Sequence, residues 1–245
     1  MEKISAIICA YNEEKTVRSV LFSVAESQLF DEIIVVNDGS TDRTEQIIAG
    51  CKQAIGLTDI HLPQNKGKGY AMASGIEQAT SAIVIFIDAD LSCQGVDHID
   101  RIVQPLLWRK TDMTLGYTTV NIFNREINPM KILTGERALF REDILPLLPR
   151  MKESRFGVET LLYMYYRSKG LKMDFIHMQN LRHLTKYEKS PFFTATRNYF
   201  FEGYEIAATV AGNLDLLKSS KKMMTWKKAI RLKMLLRAFS SFSIL

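Results

Sequence analysis

Cysteine is scarce in this chain. The three present (Cys9, Cys51 and Cys93) are odd in number, widely spaced and without a CxxC pair. That excludes a disulfide scaffold or a structural zinc site and fits a reducing compartment. Six prolines and 13 glycines in 245 residues are too few for a low-complexity or fibrous chain. No apolar run approaches the roughly 18 residues of a spanning helix. The segment Ile4–Ala10 is short, and no signal-peptide cleavage pattern follows it. The expectation is a chain that is not secreted. No GxGxxG follows the first apolar segment, and no P-loop occurs, which counts against a dinucleotide-binding dehydrogenase or a P-loop NTPase.

What is present suits a buried core. Apolar residues make up 47% and charged residues 24%, close to globular averages. The length fits one large domain with an appendage. Charge is unevenly spread. Residues 216–245 hold eight basic side chains (Lys218, Lys221, Lys222, Lys227, Lys228, Arg231, Lys233 and Arg237) and no acid. Removing them from the formal +5 leaves −3 for residues 1–215. A nucleic-acid partner is not expected, since its binding face would be basic throughout.

The first 116 residues alternate short apolar runs with amphipathic stretches. Strands are expected at 4–9, 32–36, 59–62, 82–87 and 113–116, and helices at 13–26, 40–54, 68–79 and 96–107. Val17, Val20, Leu21 and Val24 recur at helical spacing. Gly39 should make a turn, with Ser40 or Thr41 capping the helix behind it. This order implies an α/β fold with a mostly parallel sheet flanked by helices. Ligands of such sheets bind beyond the carboxyl ends of the strands. Tyr11-Asn12-Glu13, Asp38-Gly39-Ser40 and Asp88-Ala89-Asp90 each follow a strand directly, so all three should meet at one edge.

Asp88 and Asp90 are alternate residues of an extended segment and share a face. Two such carboxylates suit Mg²⁺ or Mn²⁺ bridging to substrate phosphates. The plain alternative is one helix cap and one solvated acid. Asp38 either accepts a nucleobase N–H or serves only its turn. Asn65-Lys66-Gly67-Lys68-Gly69 offers flexible backbone and two ammonium groups ahead of a helix N-terminus, a phosphate contact or a solvated basic loop.

Together, Ala10-Tyr11-Asn12-Glu13-Glu14, Val36 through Asp42, Asn65 through Gly69 and Asp88-Ala89-Asp90 resemble the nucleotide-sugar half of family 2 glycosyltransferases with the GT-A (Rossmann-like) fold. The resemblance implies that the Ala10–Glu13 segment and Asp38 hold the nucleoside. It implies that Asp90 ligates a divalent ion on the diphosphate, with Asp88 nearby on the ribose or metal and Ala89 between them. The second half is more loosely similar to polyprenyl-phosphate sugar synthases and glucosyl-3-phosphoglycerate synthases. On that resemblance Glu136, Arg137 and Glu159 are catalytic or acceptor-side residues, and His183 is a third metal ligand. Read without it, Glu136 and Arg137 form a surface salt bridge, and Glu159 is an acid at a helix N-terminus. Arg137 or Arg141 could also hold an acceptor phosphate.

The chain therefore divides into a nucleotide-sugar half (1–116), an acceptor-side half (117–189) and a helical C-terminal extension (190–245). Residues 117–135 read as a loop over the site. Helices are expected at 141–148, 158–169 and 191–217, with a strand at 172–176. In the tail, Met223, Met224, Trp226, Ile230, Met234, Leu235 and Phe239 interleave with the basic residues. This fits a helix on an anionic membrane surface, with packing on the body or a partner subunit as the alternative. The resulting expectation is a metal-dependent glycosyltransferase, peripheral on the cytoplasmic face. It would use a nucleotide-diphosphate sugar, UDP-linked by resemblance, and a lipid or lipid-linked phosphate acceptor. The helical C-terminal third could support a homodimer. The alternatives are a soluble transferase acting on a small phosphorylated acceptor, a sugar nucleotidyltransferase, or a non-catalytic binding module.

Overall fold

The computed structural model describes residues 2–90, 97–117, 120–122, 125–127, 131–178 and 203–219. Seven strands form one sheet in the order β3-β2-β1-β4-β8-β5-β9. They are β1 (Ile4–Ala10), β2 (Glu32–Asn37), β3 (Thr58–His61), β4 (Ile83–Asp88), β5 (Met113–Tyr117), β8 (Arg137–Phe140) and β9 (Met173–His177). Pairing is parallel except at β8, which runs antiparallel to both β4 and β5. The expected α/β fold with a mostly parallel, helix-flanked sheet is the one found.

The β-branched runs explain the middle of the sheet. Along β4, Ile83, Ile85 and Ile87 face one core, while Val84 and Phe86 face the other. Both faces are covered, as a parallel sheet requires. Helices α1 (Val17–Glu26), α2 (Thr44–Ile55) and α4 (Asp97–Leu107) line the first core. Helices α3 (Lys68–Gln78), α6 (Leu148–Glu153) and α7 (Val158–Lys169) line the second. Val17, Val20, Leu21 and Val24 are all fully buried. Each such side chain contributes roughly 1.5–3 kcal/mol of burial.

Several expectations need correction. Gly39 does make its turn (φ 67). The helix behind it starts at Thr44, however, whose N–H donates to Asp42 Oδ1 at 2.9 Å. Ser40 instead accepts the Asn12 N–H from across the crevice. The stretch 117–135 carries a hairpin, β6 (Val120–Ile122) with β7 (Arg125–Ile127), and a short 3-10 turn at Lys131–Leu133. One helix expected at 141–148 is instead α5 (Arg141–Ile144), a 3-10 turn (Leu145–Leu147) and α6. Pro146 and Pro149 each stand in the first turn of a new segment, where a proline's missing N–H costs nothing. Strand β8 was not anticipated. Toward the C-terminus a helix spans 203–212 and another Leu214–Ser219. His183, residues 191–202 and the basic tail from 220 onward lie outside the described residues. Among the described residues, no helix is long and apolar enough to cross a membrane.

Candidate active site

The carboxyl ends of β1, β2 and β4 share one edge, as parallel pairing dictates. The loops leaving β1 and β2 are sewn together there. Asn12, in the left-handed region (φ 56), accepts the Thr41 N–H at 2.8 Å, and the Glu13 N–H donates to Thr44 Oγ1 at 2.8 Å. Ala10 is buried beneath them, and Tyr11 stands 44% exposed beside them.

Asp38 binds protein. Its Oδ1 accepts the Lys66 N–H at 2.8 Å and its Oδ2 the Gly67 N–H at 2.9 Å. Burial pushes its carboxyl up, and these amides, with the Arg155 and Lys66 cations, partly offset that. Lys66 itself lays its ammonium over the Tyr70 ring at 4.4 Å. Gly67 (φ 93) then turns the chain into α3.

The first residue of α3, Lys68, reaches across the sheet end. Its Nζ lies 2.8 Å from Asp88 Oδ1 and 2.9 Å from Glu159 Oε1. Burial would lower the Lys68 pKa, but the two carboxylates outweigh it and hold the ammonium charged. Glu159 sits in the first turn of α7. Asp88 is fixed from behind by Gly135, where a β carbon would fall 2.2 Å from Asp88 Oδ1.

Glu136 is 1% exposed, and neither carboxyl oxygen has a hydrogen-bond partner among the described residues. Burial, reinforced by Asp88 and Asp90, pushes its pKa to about 8. It is therefore not the surface salt-bridge acid that its pairing with Arg137 in sequence suggested. Arg137 is also fully buried. Its guanidinium donates to the carbonyls of Glu159 (3.2 Å), Ile132 and Thr134, so it braces the start of β8 against α7. Arg141 lies at the opposite edge of the sheet, where its N–H meets the Ala82 carbonyl and its Nε the Ile76 carbonyl. Burial pushes the Cys9 thiol, beside these groups on β1, up to about 12, which removes it as a nucleophile.

Lys68, Asp88, Ala89, Asp90, Glu136 and Glu159 thus occupy one end of the sheet, beside the Asp38–Gly67 loop. Among the described residues, no cluster of three or more His, Cys, Asp or Glu side chains forms a metal site. Sequence reasoning missed Arg155, another left-handed residue (φ 47) that touches the Gly67 loop. Nothing local announces it, because its position follows from how α6 and the turn after it pack on α3.

A mostly parallel sheet with a carboxylate- and lysine-lined crevice at its strand ends defines an α/β protein with its candidate site where such sheets bind ligands. The chain belongs to glycosyl transferase family 2, whose profile matches residues 5–202. It is 40% identical over 91 residues to a poly-beta-1,6-N-acetyl-D-glucosamine synthase of Staphylococcus epidermidis, covering 37% of this chain and 22% of that protein. The corresponding enzyme of Staphylococcus aureus (strain COL) is 36% identical over the same length. The chain thus spans about a fifth of these curated relatives. Among solved structures, it shares its fold with glucosyl-3-phosphoglycerate synthase from Mycobacterium tuberculosis in complex with Mn²⁺, uridine diphosphate and phosphoglyceric acid. That likeness has a TM-score of 0.67 and 22% identity, covering 86% of this chain and 78% of the other.

Proposed function

We propose that this protein transfers a sugar from a nucleoside-diphosphate sugar, UDP-linked, to a phosphate-bearing acceptor. The observation that carries this reading is the Lys68 ammonium held between Asp88 and Glu159. It sets a cation and two acids of separate chain segments around one crevice. The nucleoside lies by Tyr11, Asn12 and the Asp38 turn, and the diphosphate by Lys66 and Lys68. Glu159 orients or deprotonates the acceptor. Glu136, whose buried oxygens lack partners among the described residues, stands ready to bind a hydroxyl.

A divalent ion fits this donor set. Asp88 and Asp90 offer hard oxygen ligands, and Mg²⁺ is usually held by one or two carboxylates plus substrate phosphates. Asp90 would hold Mg²⁺ or Mn²⁺ with Asp88 beside it and His183 as a third ligand. The ion would supply charge neutralisation on the departing diphosphate. Solved relatives carry Mn²⁺ or Mg²⁺ with uridine diphosphate.

The acceptor phosphate has two candidate sources. The eight basic residues of 216–245 favour a lipid-linked phosphate at an anionic, cytoplasmic-face membrane surface. The relative solved with phosphoglyceric acid favours a small soluble acid. Two-phase extraction after reaction with labelled donor separates them, since product sugar partitions with lipid in one case and stays aqueous in the other.

The donor reading is tested by thermal unfolding with UDP, GDP, CDP, ATP and NAD, each with and without Mn²⁺. Saturation at about 100 times Kd stabilises by about 2.7 kcal/mol. A shift with UDP that requires metal is expected, and Asp90→Ala should abolish it. Unchanged melting with every diphosphate would overturn the assignment.

A further inference from the structure

Arg155 lies outside every motif that the sequence singles out, yet independent contacts tie it to the donor crevice. Its backbone occupies the left-handed region (φ 47), which non-glycine residues adopt rarely. Its Cα, Cβ and Cγ stand 3.0–3.1 Å from where a β carbon on Gly67 would be. Only a glycine lets the phosphate loop and this turn approach so closely. The Arg155 charge also reaches Asp38, which holds the same loop by its amides.

The turn is gripped from its other side by the helix over 203–212. Glu205 Oε1 pairs with Arg155 Nε at 2.9 Å, and Glu205 Oε2 accepts the Phe156 N–H at 3.2 Å. One carboxylate therefore fixes both the side chain and the backbone of the turn. At Gly157 the helix packs so tightly that a β carbon would overlap Thr209 Oγ1. The Arg155 side chain is nevertheless 51% exposed, and its Nη1 and Nη2 have no partner among the described residues. A guanidinium anchored through Nε, on a strained turn that packs against the Gly67 loop, is thus left with an open fork. Such a fork matches paired anionic or carbonyl oxygens.

We propose that Arg155 is a nucleotide-binding residue of the donor site, oriented by Glu205. Its Nε is committed to the helix over 203–212, and its Nη fork takes an oxygen of the nucleoside diphosphate. This rests on the donor reading above. It makes the C-terminal helix part of donor recognition although that helix contributes no residue to the sheet-end crevice.

The test is calorimetric titration of the full chain with UDP and with uridine, both in the presence of MnCl₂. Arg155→Gly removes the guanidinium and keeps the left-handed backbone without strain, so the unliganded protein should melt no lower than wild type. Its Kd for UDP should rise about tenfold, the loss expected for a charged hydrogen bond. Glu205→Gln should weaken binding by a smaller factor, because the fork remains but is no longer aimed. Arg155→Lys should fall between them, and it keeps the proposal testable if the glycine variant fails to fold. Loss confined to UDP places the fork on the phosphates, and equal loss with uridine places it on the nucleoside. UDP binding by Arg155→Gly at wild-type affinity would overturn the role of Arg155 alone. Wild-type protein that binds no nucleoside diphosphate would overturn the donor reading, and this inference with it.

Discussion

Lys68 Nζ stands 2.8 Å from Asp88 and 2.9 Å from Glu159, so one ammonium joins the end of β4 to the first turn of α7. Replacing it with methionine leaves two carboxylates facing each other. Because the site is partly open to water, the cost should be on the order of 1–3 kcal/mol, below that of a dry ion pair. Mn²⁺ should raise the melting temperature of Lys68→Met more than that of wild type, since it supplies the missing cation. Differential scanning fluorimetry with and without Mn²⁺ checks both points; equal Mn²⁺ shifts would count against it.

Gly135→Ala should damage the site while sparing the fold. The new methyl would fall 2.2–2.3 Å from the Asp88 carboxylate oxygens, so that carboxylate must swing away. Overpacking of this kind costs about 1–3 kcal/mol. Sugar transfer should drop steeply with an unchanged far-UV circular dichroism spectrum. Full activity would show that Asp88 need not hold its present position.

Asp38→Ala leaves the Lys66 and Gly67 amides without their acceptor. Buried donors left unpaired cost about 1–3 kcal/mol each way they fail to reach water. Urea denaturation should show that loss, and UDP titration should show weaker binding as the loop loosens. A variant with wild-type midpoint and affinity would mean that water replaces the carboxylate without penalty.

Much of this was legible in the sequence. The run Ala82–Ile87, apolar throughout and mostly β-branched, marks a strand covered on both faces, and the acids that follow it had to lie at the strand end. Gly39 and the periodic valines of α1 spoke equally plainly. Strand β8 did not, because its four residues open on Arg137, whose pairing with Glu136 in sequence reads as surface. Only the tertiary fold shows that the two terminal guanidinium nitrogens of Arg137 reach three backbone carbonyls. The expected cap at Ser40 or Thr41 fell short of the helix, since Ser40 is taken by the Asn12 N–H and the helix begins only at Thr44. Arg155 carried no signal, being placed by contacts between segments far apart in the chain.

Acid should expose a different anchor. Burial alone would raise the Glu32 pKa, but hydrogen bonds from Ser5, Thr80 and Ser81 prevail and lower it from 4.5 to about 2. Its stabilisation is therefore complete above pH 4.5 and is lost as pH falls toward 2. Wild-type melting temperature should decline across that window more steeply than that of Glu32→Gln. Parallel declines would show that the hydrogen bonds survive protonation.

The reversed direction of β8 has a consequence for how such a molecule diversifies. The chain leaves β5 and re-enters the sheet at the crevice edge. Both ends of the excursion are pinned on Gly116, whose N–H donates to the Glu136 carbonyl and whose carbonyl accepts the Thr134 hydroxyl. The chain between them is a detour closed at its base, where Arg137 also holds the Ile132 carbonyl, so exchange ahead of Ile132 leaves Gly135 its anchors against Asp88. Mutational drift there could retune what approaches the crevice while the chemistry beneath stays in register, like a tool holder that accepts new bits.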